Sequence, residues 1–251
     1  MGLLLKGLSK FYPGTKTSQP MHVLHSLDLE VKTGTFVSLI GPSGCGKSTI
    51  CNLVAGIETS DTGEILLNGK AIDGLPGQVS YMPQKDLLLP WRTLLDNVIL
   101  GCEILRRDKR KAREEAKSWL KQFGLAPFAE YYPHQLSGGM RQRGALLRTI
   151  LFGQKTLLLD EPFGALDALT RQEMQRWLLK IWEQTRYTVL FITHDIDEAI
   201  LLSDKIVVLS QRPARIVKEF PVPFAHPRNP DLLLSGDTLD LKKQLLELLL
   251  H

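Results

Sequence analysis

Phe36-Val37-Ser38-Leu39-Ile40, running into Gly41-Pro42-Ser43-Gly44-Cys45-Gly46-Lys47-Ser48-Thr49, is the stretch on which the reading of this chain turns. The opening residues form an almost unbroken apolar run, the pattern of a strand buried on both faces, and the run stops at Gly41. Gly41 to Ser48 fit the spacing G-x-x-x-x-G-K-S/T, and a helix is expected from Lys47 to near Gly56. A strand, a glycine turn and a helix in that order form the context in which this spacing holds phosphate. The glycines let successive backbone N–H groups curl around β- and γ-phosphates, and the helix N-terminus adds positive potential. Lys47 then neutralises phosphate charge, and Ser48 offers a hydroxyl to Mg²⁺. Pro42, Ser43, Cys45 and Thr49 complete the candidate nucleotide-binding loop.

Around this unit the pattern alternates. Leu27 to Val31 reads as a strand, and the runs flanking Asn68-Gly69 between Gly63 and Ile72 read as a hairpin, because that dipeptide takes positive φ easily. Leu94 to about Leu125 looks helical, with Ala112, Ala116, Trp119, Leu120 and Phe123 on one buried stripe. Leu157-Leu158-Leu159 and Thr188 to Ile192 are core strands with a helix from about Leu169 to Gln184 between them, which implies a parallel crossover. Val207-Val208-Leu209 is followed by a proline-rich segment, Pro213 to Pro230, that reads as an edge and linker. The leucine-rich end, Asp237 to Leu250, surrounds Lys242 and Lys243 and is expected to dock on a protein surface rather than on lipid.

The 251 residues, 43% hydrophobic and 23% charged, suffice for a sizeable core without staples and exclude a disordered or collagen-like chain. A net charge of +4 is too mild for a surface dedicated to nucleic acid. The basic run Arg106 to Lys111 reads as a solvated helix start. Cys45, Cys51 and Cys102 have no metal-ligand spacing, and a sparse, odd count suits a reducing compartment. No run reaches the roughly 18 apolar residues of a membrane span, and the start lacks a signal-peptide pattern, so the chain is expected to be cytosolic.

Two further segments carry chemistry. Asp160-Glu161 ends the run Thr156 to Leu159, placing two carboxylates at the carboxyl end of a buried strand, where open α/β sheets bind ligands. Ser137-Gly138-Gly139 precedes a helical pattern, with Ser137 placed as an N-cap and two glycines baring backbone amides, a second anion-binding helix start.

The order of these segments, with Gln84, Leu136 to Met140, Thr156 to Glu161, Gly164-Ala165-Leu166-Asp167 and Thr193-His194-Asp195, resembles ABC-transporter nucleotide-binding subunits over about residues 3 to 225. The resemblance implies an α/β fold, a P-loop NTPase of ABC type. This has a mixed parallel sheet core, an antiparallel β piece and a helical insert at about 86 to 150. The cassette would span residues 3 to 230 and a helical tail residues 231 to 251. It implies an ATPase using ATP and Mg²⁺ as a head-to-tail homodimer, or paired with a closely related subunit. Each ATP would lie between one subunit's phosphate loop and the other's Ser137-Gly138-Gly139.

Carried over by position, Tyr12 resembles the aromatic that stacks on adenine, with Phe11 adjacent as the alternative. Gln84 resembles the glutamine that touches Mg²⁺ and the attacking water. Asp160 resembles the Mg²⁺-organising acid and Glu161 the general base. His194 resembles the switch histidine on the γ-phosphate, and Asp167 the aspartate that crosses the dimer interface. Gly144 stands where the family more often has an apolar residue, at a helix-propensity cost of about 1 kcal/mol relative to alanine.

Leu87 to Val98, Pro162 to Asp167 and Ser210 to Val217 resemble the branch that imports nitrate, aliphatic sulfonates, taurine and thiamine precursors. That branch implies integral membrane permease subunits and, indirectly, an extracytoplasmic solute-binding protein. It also implies a location on the inner face of the cell membrane, with the face around Gln84 to Val98 and the helical insert meeting the permease. The competing reading, a soluble ABC ATPase acting on ribosome, nucleic acid or a protein assembly, lacks a second cassette or a long coiled-coil insert to support it.

Overall fold

The computed structural model describes residues 2–14 and 19–250. From the N-terminus, β1 (Gly2–Tyr12) and β2 (Met21–Lys32) lead into β3 (Phe36–Ile40) and α1 (Lys47–Val54). There follow β4 (Thr62–Leu67), β5 (Lys70–Ala71) and β6 (Ser80–Met82), then α2 (Leu94–Val98), α3 (Leu100–Ile104), α4 (Lys109–Gln122) and α5 (Gly138–Phe152). The second half runs β7 (Thr156–Asp160), α6 (Ala168–Thr185), β8 (Thr188–Ile192), α7 (Ile196–Leu202), β9 (Lys205–Leu209), β10 (Ile216–Pro221) and α8 (Gly236–Leu250).

The main sheet has the order β10-β9-β3-β8-β7-β6, parallel throughout except for the antiparallel edge β10. Every residue of β3, β7 and β8 is buried, which is why these strands read as unbroken apolar runs. The second sheet, β2-β1-β4-β5, is antiparallel. Its hairpin turns at Asn68 and Gly69, both at positive φ, as the dipeptide predicts. Sequence reading missed β1 and the first half of β2. Their pairing is interrupted by register shifts near Gly7 and Ser9, which break the period-2 pattern.

α1 is packed between the two sheets: Ile50, Cys51, Leu53 and Val54 meet Leu3 and Leu5 on one side and Leu39, Leu158 and Val207 on the other. The opposite face of the main sheet carries α5, α6 and the helical insert. Within it, the stretch Leu94 to Leu125 that reads as helical is divided into α2, α3 and α4. Arg106 takes φ 53° and Asp108 starts α4 afresh by accepting from Lys111 N at 2.9 Å. The stripe Ala112, Ala116, Leu120 and Phe123 is buried as expected, and the basic run opens a helix, with Arg107 donating to Leu151 O at 3.1 Å.

Gly144 has a structural reason. A methyl group there would lie 2.5 Å from Cδ1 of the fully buried Leu94, so the glycine lets α2 approach α5 and offsets its propensity cost.

The leucine-rich end docks on a protein surface, and that surface is its own cassette. Leu241 and Leu245 of α8 join Ile196, Ile200, Ile206, Val208 and Phe220 in a third core. Lys242 pairs with Asp197 at 2.6 Å, and the buried Arg228 donates to Ile200 O (2.7 Å) and Ser203 O (2.6 Å), capping the C-terminal turn of α7. Burial pushes the Arg228 guanidinium down to about 10. Among the described residues no helix is long and apolar enough to cross a membrane.

Candidate nucleotide site

α1 begins differently from most other helices of the chain. α2, α4, α5, α6 and α7 are capped at their N-termini by the side chains of Thr93, Asp108, Ser137, Asp167 and Asp195. α1 starts at Gly46 with no side-chain cap and no acid in its first turn. Its leading amides therefore remain available to an external anion, in the positive end of the helix dipole. Gly46 takes φ 125°, and a side chain there would strike Val23 Cγ1 at 2.9 Å, so glycine alone fits this turn.

The turn opens into a cavity of 530 Å³ lined by Tyr12, Met21, Val23, Ser43, Gly44, Gly46, Lys47, Ser48, Thr49, Gln84, Glu161 and Arg212. Lys47 is 8% exposed, and its Nζ donates to Gly41 O (2.7 Å) and Pro42 O (3.0 Å), with Cys45 Sγ at 3.9 Å. An ammonium held on neutral acceptors at the floor of the turn is placed to pair with an incoming phosphate.

Asp160 and Glu161, adjacent in sequence, sit in different environments. Asp160 ends β7 at 2% exposure and accepts from the Ser48 hydroxyl. Burial, reinforced by the neighbouring Glu161 charge, raises its carboxyl above the ordinary range. Glu161 leaves the strand at φ 48°, a left-handed conformation that costs an L-residue roughly 1–2 kcal/mol. Its N–H donates to Ile192 O at 2.9 Å, and Gln142 Nε2 reaches its carbonyl at 3.5 Å, which holds the turn. This aims Glu161 Oε2 at Gln84 Nε2 (3.1 Å) and His194 Nδ1 (3.4 Å). Gln84 follows β6 and His194 follows β8, so neighbouring strands of the parallel sheet deliver all three groups to its carboxyl edge.

A hard divalent cation fits this corner. Ser48 Oγ, the Asp160 carboxylate and the Gln84 amide are oxygen donors of the kind such an ion takes, and a desolvated carboxylate gains from a cation beside it. Among the described residues no cluster of three His, Cys, Asp or Glu could hold a metal, so the remaining oxygens would come from nucleotide and water.

Tyr12 lines the cavity beside Thr49, and its hydroxyl hydrogen-bonds Glu58. Burial and that bond push its phenol up to about 12. Phe11 points elsewhere and stacks on His22 at 3.9 Å. Ser137, Gly138, Gly139 and Asp167 line no part of this cavity. Ser137 is exposed and caps α5 by accepting from Met140 N at 3.3 Å, while exposed Asp167 caps α6 by accepting from Thr170 N at 3.0 Å. That backbone bond also holds the Asp167 carboxyl below its usual value. One chain thus places its phosphate turn and its Ser137-Gly138-Gly139 turn on separate surfaces.

Sequence reasoning missed Met21, Val23, Arg212 and Gln142. Gln142 had a faint signal, a polar residue buried on an otherwise apolar helix face. Arg212 had none, because its place by the cavity comes from a long-range bridge between Leu24 and Ala214.

The sequence model of the family described as ABC transporter matches residues 24–164. The chain belongs to this family. It is 40% identical over 229 residues to the aliphatic sulfonates import ATP-binding protein SsuB of Bacillus cereus, covering 91% of this chain and 89% of the relative. It is 39% identical to the taurine import ATP-binding protein TauB of Pelagibacter ubique, covering 91% and 84%. The dimeric structure of a bacterial ABC transporter cassette superposes with a TM-score of 0.81 at 30% identity, covering 89% of this chain and all of that one. The fold is the ABC cassette, and the chain is an ATP-binding ATPase of ABC-transporter type.

Proposed function

We propose that this chain is the ATP-hydrolysing subunit of an ABC importer that energises uptake of a small solute of the sulfonate, taurine, nitrate or thiamine-precursor type through a separate membrane permease. The observation that carries the reading is the similarity, over nine-tenths of the chain, to import subunits named for sulfonates and taurine. The exposed apolar side chains between β6 and α4 support a permease contact. Leu87 is 57% exposed, Trp91 71% and Ile104 66%. Ile104 also lines an apolar hollow of 280 Å³ together with Ile57, Val79, Leu100 and Phe152. The chain would then sit peripherally on the inner face of the cell membrane, leaving solute selection to the permease and an extracytoplasmic binding protein.

In this reading two copies close on ATP, each phosphate loop meeting the Ser137-Gly138-Gly139 turn of the other copy, with Asp167 at the seam. Tyr12 stacks on adenine, and Lys47 and the α1 amides hold the phosphates. Ser48, Asp160 and Gln84 hold Mg²⁺, which supplies charge neutralisation. Glu161 accepts the proton of the attacking water, and His194 steadies Glu161 and the γ-phosphate. The test is affinity purification of the tagged chain from gently solubilised native membranes. A multi-span membrane protein recovered with equal copies of this subunit supports the importer. Recovery with ribosomes or nucleic acid and no membrane protein contradicts it.

A further inference from the structure

Arg212 stands at the nucleotide cavity and, among the described residues, has no ionic partner. It lines the cavity with Lys47 and Gly44, and its Nη2 lies 2.8 Å from where a side chain on residue 44 would begin, so the guanidinium lies over the glycine turn. Among the described residues its side chain hydrogen-bonds only the Met21 thioether, a weak acceptor, and it makes no salt bridge. The loop that carries it is fixed independently of any ligand. Ala214 N donates to Val23 O at 2.8 Å, His25 N donates to Ala214 O at 3.1 Å, and Arg215 N donates to Ser210 Oγ at 3.0 Å. Lys47 forms the floor of the phosphate turn and Arg212 its rim, while Glu161, the one acid among the described residues that line the cavity, pairs with Gln84 and His194.

We infer that Arg212 is a nucleotide-binding residue, its guanidinium pairing with polyphosphate oxygens of ATP or ADP seated on the glycine turn. A planar fork with five donors suits two phosphate oxygens at once, which a lysine ammonium does not reproduce. The inference rests on the phosphate-loop reading of Gly41 to Ser48. It adds a contact from a segment well removed in sequence and anchored on β2.

The experiment is equilibrium titration of the full chain, as wild type, Arg212→Ala and Arg212→Lys, with ATP, ADP and adenosine. Loss of one charge-assisted contact should weaken ATP and ADP binding to Arg212→Ala by on the order of tenfold or more. Arg212→Lys should recover part of that, and adenosine binding should not change. The exposed position predicts an unchanged melting temperature without nucleotide, which separates the effect from misfolding. Wild-type affinity of Arg212→Ala for ATP and ADP overturns the assignment. So does an equal loss for adenosine, which would place Arg212 on the base or ribose, or normal nucleotide binding with loss of ATP-dependent pairing of two copies. Failure of the wild type itself to bind ATP would instead sink the phosphate-loop reading.

Discussion

Asp160 and Glu161 show how adjacent carboxylates are given different work by backbone geometry. Asp160 completes a buried strand and is desolvated; Glu161 turns left-handed and is aimed at two polar partners. Because burial raises the Asp160 carboxyl, between the ordinary carboxylate range and the raised value the native chain holds a proton there that the unfolded chain has already released. Stability without nucleotide therefore falls as pH climbs from the ordinary carboxylate range through the raised value. Asp160→Asn removes that desolvated charge, so it should melt about 2–4 °C higher than wild type at neutral pH, the gain fading on acidification, while Mg²⁺-dependent turnover is lost. Equal melting at neutral pH would show that the carboxylate costs the fold nothing. Glu161→Gln should still bind ATP yet lose roughly 10²–10⁴-fold in turnover, as when a general base is removed; phosphate release at the wild-type rate would sink that role. Lys47, Ser48 and both carboxylates were legible in the sequence because their placement follows from local chain order. Arg212 was illegible because a distant bridge places it.

At the scale of elements, β3, β7 and β8 could be read because burial on both faces leaves a plain apolar run. Leu94 to Leu125 was read as helical without its internal breaks, because the apolar stripe of α4 is the signal that periodicity picks up. The breaks depend on Arg106 and Asp108, whose turn and cap are single-residue signals. The docking surface of α8 lay beyond periodicity altogether, since an amphipathic stripe states that a helix packs and leaves open against what. The structure answers with α7, the helix that follows the loop bearing His194. Leu245 is fully buried there, so Leu245→Ala should destabilise the chain by about 2–5 kcal/mol in urea unfolding. Lys242→Ala, which removes a partly exposed pair, should cost no more than about 1 kcal/mol. Equal effects of the two changes would contradict packing as the force that holds α8.

For the whole molecule, the decisive feature is a division within one chain. The uncapped start of α1 offers amides and a buried ammonium to a phosphate, while the glycine turn at Ser137 opens onto a different surface and lines no part of that cavity. In the proposed dimer a second copy, turned head to tail, would bring the two together; a structural neighbour is itself described as dimeric. Both glycine-bearing helix starts were legible in the sequence. Their separation in space required the fold. The most direct test mixes two inactive variants, Ser137→Arg and Lys47→Ala. Each alone should fail to hydrolyse ATP, and Ser137→Arg should still bind it as a monomer. In a mixed pair, one site combines the intact Lys47 of one copy with the intact Ser137 of the other, so ATP hydrolysis should reappear on mixing. If mixed pairs form and remain as inactive as either variant alone, the site does not lie between two copies and the account fails.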